Sequence, residues 1–361
     1  MPESVELREP RLALLMGDVA GVGPEVVART LAAFPDTSRP LVVGHPDVLI
    51  RALELIGLDQ VVRPVDSPHR ASGDTDRPGI DCWNPSTADV RDIPAGIIDA
   101  RCGHAAADWL LETATAALDG HVDALVTAPL NKAALAAAGI DVPGHTELLA
   151  RACGLDSVGM MLYLPPTATS GSNSHGLGVT HVTLHTSIAS VPGLLSTSRI
   201  SDHIRLIDGF LRRIGCTSPR IGVCALNPHA GEDGLFGDEE QTTIAPAVAA
   251  AIDEGLDARG PFPADTLLHR AASGEFDGVV AMYHDQGHIA LKLIGFQAAV
   301  NVTLGLPIVR TSPSHGTAFD IAWQGVANPA GMLSAVDAAI RLCQHPSDAQ
   351  HPHRQLQEQQ D

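Results

Sequence analysis

Three histidines in this chain directly follow short apolar runs, in three unlike contexts. They are His185 in VTLHTS, His229 in ALNPHAGE and His284 in VVAMYHDQ. An apolar run that ends in histidine near glycine or proline is typical of a strand that delivers a side chain to a site at its carboxyl end. Three imidazoles can bind a metal ion and leave one coordination position open. We therefore predict a metal site formed by these three histidines.

Each of these assignments has an alternative. His181 lies four residues before His185 and would point to the same face of one strand; we favour His185 because sites lie at strand ends. His288 is the weaker alternative to His284, which could also be a structural histidine. The acidic run at 238–240 is interpreted as a solvated helix start that complements the helix dipole.

A second group of polar residues could hold an anion. Lys292 is flanked by leucines in an apolar segment, where an ammonium group without an anion is expensive to bury. Asn301 and Arg310 follow at intervals of nine residues, and GHTE contributes His145 and Thr146. Together these side chains predict a phosphate or carboxylate site. Surface cations with buried stems are the alternative for each residue taken alone.

Composition restricts the fold and the partners. The chain has 361 residues, 45% of them hydrophobic and only 3% aromatic, which favours an α/β protein of two domains. The formal net charge of −19 argues against nucleic acid and anionic membranes as partners. The six cysteines form no C-x-x-C pair, which predicts free thiols in the cytoplasm. The N-terminus does not resemble a signal peptide, and no apolar run is long enough to cross a bilayer.

Alternating strands and helices predict a mostly parallel sheet with its ligand beyond the carboxyl ends of the strands. The glycines of GDVAGVG predict either a degenerate nucleotide-binding turn or a packed turn between a strand and a helix. Loops are expected within 63–98 and at 164–178. The main predicted elements are strands at 11–16, 40–44, 124–127, 279–282 and 298–304, and helices at 105–118, 196–214 and 240–254.

Several long motifs occur together and in order. They are MGDVAGVGPEVV, TAPLNKAAL, GHTELLA, ALNPHAGEDGLFGDEE, GPFPADT, AMYHDQGHIALKLIGF and VNVTLGLPIVRTSPSHGTAFDIAWQGVANP, and they extend from about residue 11 to 330. This set resembles the 4-hydroxythreonine-4-phosphate dehydrogenase (PdxA) family. HGTAFDIAWQGVANP also resembles the nucleotide-binding loop of the broader isocitrate and isopropylmalate dehydrogenase superfamily.

The resemblance implies a two-domain α/β/α fold with a cleft between the domains. The nucleotide side would comprise 1–140 and 305–344. The domain for metal, substrate and dimerisation would comprise 141–304, and 345–361 would be a disordered tail. The resemblance further implies a homodimer with shared active sites, in which one metal ligand comes from the partner chain.

The resemblance also assigns roles to individual residues. The implied catalytic residues are His145, Asp265 and Lys292, with His145 and Asp265 as alternative general bases. The implied substrate-binding residues are His145, Thr146, Lys292, Asn301 and Arg310. The implied residues for NAD or NADP are Gly17, Asp18, His315, Gly316, Asp320 and Asn328. The implied ligands for a divalent ion (Zn, Mg, Mn or Co) are His185, His229 and His284.

The implied reaction is oxidation, with decarboxylation, of a 4-phosphorylated 3-hydroxy acid. The motifs are closer to the branch that uses 4-phospho-D-threonate and 4-phospho-D-erythronate than to the branch that uses 4-hydroxythreonine-4-phosphate. Val19 replaces the proline usual in this family, and the loop at 164–178 is longer than usual. The alternatives are a terephthalate-diol-type dehydrogenase, a metal-dependent hydrolase that needs no nicotinamide, and a non-catalytic sensor.

Overall fold

A computed structural model describes residues 9–35, 39–69, 79–142, 144–156, 158–169 and 173–344. Contacts divide the chain into two compact units, one drawn from Met1–Ser157 and Leu306–Asp361 and the other from Val158–Gly305. We expected the first boundary at 140/141. The described residues beyond 141 instead group with the first unit, because the helix His145–Ala152 packs against the helix Ala100–Leu118. The predicted disordered tail at 345–361 lies outside the described residues.

The first unit contains a parallel sheet. Its described strands are β1 (Leu12–Leu15), β2 (Leu41–Val43), β3 (Val62–Val65), β4 (Ile80–Trp83), β5 (Ala124–Thr127) and β12 (Val309–Pro313). They pair in the order β3-β4-β2-β1-β5-β12, and every pairing among these described strands is parallel. Its described helices are α1 (Gly23–Leu31), α2 (Pro46–Leu55), α3 (Ala100–Leu118), α4 (Lys132–Ala137), α5 (His145–Ala152) and α11 (Ala330–Gln344).

The central strands of this unit are buried on both faces, which explains their continuous apolar runs. All four residues of β1 and of β5 are buried. Helix α3 contributes Trp109, whose indole is 1% exposed and donates a hydrogen bond to Asn84. The carboxyl ends of the parallel strands lie at one edge of the sheet, so the segments that follow them form the candidate site.

The second unit is a mixed sheet covered by helices. Its described strands are β6 (Gly159–Leu164), β7 (Leu177–His181), β8 (Arg220–Cys224), β9 (Asp257–Phe262), β10 (Gly278–Ala281) and β11 (Val300–Leu304). In the order β11-β6-β7-β10-β8-β9, β6 is antiparallel to both neighbours and the pairings beyond β7 are parallel. Its described helices are α6 (Val191–Leu194), α7 (Thr197–Arg213), α8 (Ala245–Asp253), α9 (Ala264–Ala272) and α10 (His284–Gly295).

The α/β fold class is confirmed, and most predicted elements lie within a few residues of their expected bounds. Two differ in a way that matters for function. The helix expected at 240–254 begins with a π-helical turn, Glu240–Ile244, and continues as α8. The run VVAMYH is not a strand as far as its histidine: β10 ends at Ala281, and His284 opens α10. Among the helices of the described residues, none combines the length and apolarity needed to span a bilayer.

Candidate functional site

The GDVAGVG motif forms a close-packed turn between β1 and α1. Gly17 has φ +64°, and a β-carbon there would collide with the carbonyl oxygen of Pro129. The backbone N–H of Asp18 donates to that same oxygen at 3.0 Å, and the Asp18 Oδ1 accepts from the N–H of Ala20 at 2.9 Å. The turn is therefore fixed by its own backbone, as one of the two interpretations of the motif predicted.

The segment at 315–328 lies against this turn within the first unit. The Val22 N–H donates to the Thr317 carbonyl at 2.9 Å, and the Trp323 indole N–H donates to the Val19 carbonyl at 2.8 Å. The fold thus brings together the two segments that the resemblance assigned to the nicotinamide cofactor. Asn328, at the end of the second segment, accepts from the N–H of Ala330 and caps α11.

Two of the residues assigned to the cofactor carry buried polar atoms without a hydrogen-bond partner in the described structure. They are the Oδ2 atom of Asp18 and the Nε2 atom of His315. Asp18 is 1% exposed, and burial raises the pKa of its carboxyl group. Polar atoms of this kind are uncommon in folded proteins and can mark a place where a ligand completes the bonding. Both atoms therefore fit a cofactor rich in hydroxyl and amide groups. Gly316 and Asp320 are exposed on the same segment.

The predicted anion-binding residues fall into two groups. In the first unit, Arg310 on β12 is 3% exposed, and its guanidinium donates to the Thr127 hydroxyl at 2.7 Å and 3.2 Å. Burial lowers the pKa of Arg310 to about 10, opposed by the charge of Glu147. His145 opens α5, and burial together with the Arg310 charge holds the pKa of His145 well below its usual range. Thr146 follows His145 on the same helical turn.

The other predicted substrate residues lie in the second unit. Lys292 is partly exposed on α10, and its Nζ lies 5.7 Å from the centre of the Phe296 ring. The expectation that Lys292 is buried in an apolar segment was wrong, because the segment is a helix that buries Leu291 but leaves the neighbouring Leu293 83% exposed. Asn301 on β11 has a buried Oδ1 without a hydrogen-bond partner in the described structure. Asp265 is exposed at the start of α9, where its Oδ1 accepts from the Thr266 N–H.

His229 lies on a turn with unusual backbone geometry. Five consecutive residues, 229–233, have positive φ angles between 45° and 79°, and only Gly231 among them is a glycine. The left-handed region costs a residue with a β-carbon roughly 1–2 kcal/mol, so such a run persists only where its surroundings fix it. An exposed histidine at the start of this run is held in one orientation by the backbone.

Glu240 fixes the entry to this turn. Its Oε1 accepts from the N–H groups of Leu226 and Asn227 at 2.8 Å and 2.7 Å, and its Oε2 accepts from the Asn227 side chain at 3.0 Å. The Glu240 side chain is 3% exposed. Our interpretation of Glu240 as part of a solvated helix start was therefore wrong. The tertiary structure turns this carboxylate inward, toward amides that no secondary structure satisfies.

The second unit contains a group of histidines that differs from the predicted triad. His181 is fully buried at the end of β7, and its Nε2 lies 3.1 Å from the Nδ1 of His288. The rings of His284 and His288 stack, with centroids 3.7 Å apart, and the rings of His185 and His284 have centroids 5.8 Å apart. Burial holds the pKa of His181 well below its usual range and lowers the pKa of His288 to about 4. His181 and His288, which we ranked lower, are thus close neighbours of His284.

The predicted metal ligands do not come together within one chain. Among the described residues, no group of three His, Cys, Asp or Glu side chains is arranged to hold a metal ion, so His229 does not join His185 and His284. The Nδ1 of His284 instead lies 2.6 Å from the Oδ1 of Asp285. Within the described part of one chain, the donor set does not fit a metal ion.

Sequence reasoning missed three residues that organise these sites. Thr127 positions the Arg310 guanidinium. Gln286 joins two strand ends, because its side chain accepts from the Met282 N–H and donates to the Ala225 carbonyl, each at 2.7 Å. Glu240 is the third. For Glu240 and Gln286, the signal in the sequence was a carboxylate or amide side chain near the start of a helix. The direction in which such a side chain points depends on the neighbouring strands.

Comparison with known proteins identifies relatives along nearly the whole chain. The family model described as "Pyridoxal phosphate biosynthetic protein PdxA" matches residues 36–339. A 4-hydroxythreonine-4-phosphate dehydrogenase of Geobacter metallireducens is 44% identical over 92% of this chain and 96% of its own length. A D-threonate 4-phosphate dehydrogenase of Pectobacterium atrosepticum is 42% identical over 92% of this chain and 98% of its own.

A solved structure agrees with these matches. The crystal structure of a 4-hydroxythreonine-4-phosphate dehydrogenase from Klebsiella pneumoniae superposes with a TM-score of 0.79 at 41% identity, covering 92% of this chain and 99% of that one. The named relatives are dehydrogenases, which supports this chain as an oxidoreductase that acts on a CH–OH group. On the family model and on identity across nine-tenths of its length, the chain belongs to the PdxA family.

Proposed function

We propose that the chain oxidises a 4-phosphorylated 3-hydroxy acid with NAD or NADP, and that the product then loses carbon dioxide. The candidate substrates are 4-phospho-D-threonate, 4-phospho-D-erythronate and 4-hydroxythreonine-4-phosphate, since relatives of both names are more than 40% identical to this chain. The observation that carries the proposal is the buried Arg310 guanidinium, oriented by Thr127, in the same unit as His145 and the paired cofactor segments.

The buried guanidinium favours an anionic substrate. The planar fork of Arg310, oriented by Thr127, suits the paired oxygens of a phosphate or carboxylate. Asn301 offers a buried amide oxygen that can accept from a substrate hydroxyl. We propose that Thr146, Asn301 and Lys292 complete substrate binding.

His145 is the better candidate for the general base. Burial and the Arg310 charge lower its pKa, which favours the unprotonated form that a base needs. Asp265, the alternative, is exposed, and its Oδ1 already accepts from the first turn of α9. In this scheme His145 takes the proton of the C3 hydroxyl while C3 loses hydride. The cofactor supplies the hydride acceptor.

Decarboxylation follows from the product of this step. Oxidation at C3 gives a β-keto acid, whose carboxylate leaves as carbon dioxide while the electron pair moves into an enolate. Protonation of that enolate from 4-phosphothreonate or 4-phosphoerythronate yields dihydroxyacetone phosphate. The positive charge of Arg310 would hold the phosphorylated end through both steps, since the phosphate itself is unchanged.

The substrate and the base can be tested together. Wild-type protein is mixed with each of the three candidate acids and with NAD or NADP, and reduced cofactor is followed by absorbance. We expect one acid to be strongly preferred, and His145→Asn to lower kcat by about 10²–10⁴-fold while Asp265→Asn changes it by less than about 10-fold. The reverse ranking of the two variants would transfer the role of base to Asp265. No reduced cofactor with any acid would overturn the proposal.

We also propose dependence on a divalent metal, on the family resemblance. The rings of His185 and His284 lie 5.8 Å apart, and His229 would have to approach them from a partner chain. Dialysis against a chelator, followed by titration with Zn, Mg, Mn or Co, tests this proposal. We expect activity to vanish and return with the metal, and metal binding to be lost in His229→Ala. Full activity of chelated protein would contradict it.

A homodimer is supported by an exposed apolar surface in the second unit. Ile289 and Leu293 on α10 are 59% and 83% exposed, and Phe296 at its C-terminal cap is 63% exposed. Leu235 and Phe236, which follow the turn that begins at His229, are 72% and 49% exposed. Apolar patches of this kind mark protein interfaces. We expect sedimentation to give a dimer and Leu293→Glu to give monomers.

Free cysteines at all six positions support a location in the reducing cytoplasm.

A further inference from the structure

The segment at 315–328 has no regular secondary structure, yet it must hold a fixed shape if it binds a cofactor. Two of its residues with side chains, Ala318 and Trp323, have positive φ angles of 43° and 59°. Such backbone conformations are unfavourable by themselves and require external support. The contacts of this segment within the first unit show where that support comes from.

Glu25 on α1 supplies it. Its Oε1 accepts from the Ala327 N–H at 2.6 Å, and its Oε2 accepts from the Gly325 N–H at 3.2 Å. Arg29, one turn further along α1, donates from Nε to the Oε1 of Glu25 at 3.3 Å and from Nη2 to the Gly325 carbonyl. Glu25 is 1% exposed. One buried carboxylate therefore satisfies two amides of the segment, and its own charge is balanced by an arginine of the same helix.

The segment is also held from a second side. The Trp323 indole N–H donates to Val19 at 2.8 Å, and the guanidinium of Arg51 lies 3.7 Å above the Trp323 ring. Because Val19 and Glu25 both lie in the stretch that contains Asp18, the two cofactor segments are joined by side-chain bonds as well as by the backbone. A shift at 325–327 would thus be transmitted to the buried atoms of Asp18 and His315.

We propose that Glu25 is a positioning residue for the nicotinamide cofactor. It fixes the end of the 315–328 segment so that the segment has its binding shape before the cofactor arrives. Pre-formed sites bind more tightly because the ordering entropy is not charged to the binding step. The inference rests on the proposed function only for the identity of the ligand. It does not give Glu25 any contact with the reacting atoms.

The isosteric variant Glu25→Gln tests this inference. Its amide group cannot accept from both Gly325 and Ala327, so an N–H donor is left facing a donor. We expect KM and Kd for the cofactor to rise on the order of 10-fold, while kcat at saturating cofactor changes by less than about twofold. We further expect faster hydrogen exchange at the Gly325 and Ala327 amides in protein without cofactor. The exposed Glu112→Gln on α3 is the matched control and should match wild type in all three measurements.

The outcomes separate the two proposals. Unchanged hydrogen exchange at both amides, or unchanged cofactor affinity in a folded Glu25→Gln protein, would overturn the inference and leave the proposed function intact. A wild-type protein that binds neither NAD nor NADP would overturn the proposed function and the inference with it. If Glu25→Gln does not fold, Arg29→Gln replaces it in the test, because this variant removes the partly exposed residue that contacts both Glu25 and Gly325. The same rise in KM for the cofactor is expected. An Arg29→Gln protein with wild-type KM and wild-type exchange would then overturn the inference.

Discussion

Two irregular segments carry candidate functional residues, one in each unit, and they are stabilised in a similar way at different places. The turn at 229–233 is held at its entry, where Glu240 accepts from Leu226 and Asn227. The 315–328 segment is held near its end, where Glu25 accepts from Gly325 and Ala327. In both, a buried carboxylate satisfies two backbone amides that no helix or strand can satisfy.

The difference lies in what surrounds the two segments. Glu25 is paired with Arg29, whereas Glu240 forms no ion pair among the described residues and its charge is balanced by N–H donors. Residues 229–233 are left-handed without interruption. In the 315–328 segment, only isolated residues such as Ala318 and Trp323 are left-handed. The turn at 229–233 therefore depends more completely on its single carboxylate.

The largest effect is expected for Glu240→Ala. The change leaves the buried N–H groups of Leu226 and Asn227 without acceptors, which should lower the free energy of unfolding by roughly 3–5 kcal/mol. Turnover should fall on the order of 10²-fold, because His229 loses its fixed position. Urea denaturation and steady-state assays measure both quantities. Glu232→Ala, an exposed residue of the same turn, is the control; equal effects of the two variants would show that Glu240 does not brace the turn.

A pH effect is expected next, in the second unit. His203 binds the Thr180 hydroxyl through Nδ1 at 2.8 Å, and burial, with a smaller contribution from Arg199, lowers the pKa of His203 to about 4. The unfolded chain binds a proton near pH 6.5 and the folded chain does not, so stability falls as pH drops from about 6.5 toward 4. His203→Gln should reduce this loss by roughly 1–3 kcal/mol. The measurement is urea unfolding at pH 7.5 and 4.5, with the exposed His104→Gln as control. If the free energy of unfolding falls equally with pH in all three proteins, His203 is not the cause of the loss.

A smaller effect separates two glycines of the left-handed turn region. A β-carbon at Gly231 would lie 2.7 Å from the Glu240 Oε2 and 3.0 Å from the Gly237 carbonyl oxygen, whereas a β-carbon at Gly234 meets nothing within 4 Å. Both glycines have positive φ. Gly231→Ala should therefore lower stability by about 2–3 kcal/mol and Gly234→Ala by about 1 kcal/mol. Thermal unfolding distinguishes them, and equal losses would mean that the Glu240 side chain is free to move aside.

The smallest effect compares the two segments directly. Ala230 has φ 56° and Ala318 has φ 43°, so glycine would relieve the left-handed strain at both. The added freedom of the unfolded chain offsets this gain, and each variant should lie within about 0.5 kcal/mol of wild type. Ala136→Gly, on the exposed face of α4, should destabilise by about 0.5–1 kcal/mol. If glycine at Ala230 or Ala318 lowers stability as much as glycine at Ala136, the backbone of that segment is not strained.

Much of the fold could be predicted because it depends on local patterns. The apolar run at 124–127 forms a strand with the expected bounds, and the helix expected at 196–214 is Thr197–Arg213, since its apolar residues recur every three or four positions. His284 was assigned to the end of a strand because VVAMY is continuous with it in hydropathy. The backbone turns after Ala281 instead, where Gln286 accepts from Met282. The hydropathy pattern carries no information about that hydrogen bond.

The candidate sites were predictable in part for the same reason. An apolar run that ends in histidine identified His284 as a candidate, and a group of cationic and polar residues identified Arg310 and His145. The partner of each one was not predictable: Thr127 is 183 residues from Arg310 in the sequence, and His181 is 107 residues from His288. Contacts at such separations depend on which strands are neighbours in the sheet, and that order is set by the packing of the whole unit.

The sequence by itself determined the α/β class, the positions of most elements, the acidic surface and, through its motifs, the family. Those properties follow from composition and from periodicities that each segment carries within itself. Only the tertiary structure decided that Glu25 and Glu240 point inward and that Lys292 lies on a partly exposed helix. It also decided that His181 is buried against His288. Burial and hydrogen-bond partners are properties of the assembled sheets and helices, because a carboxylate acquires its role only when distant amides are brought within bonding distance of it.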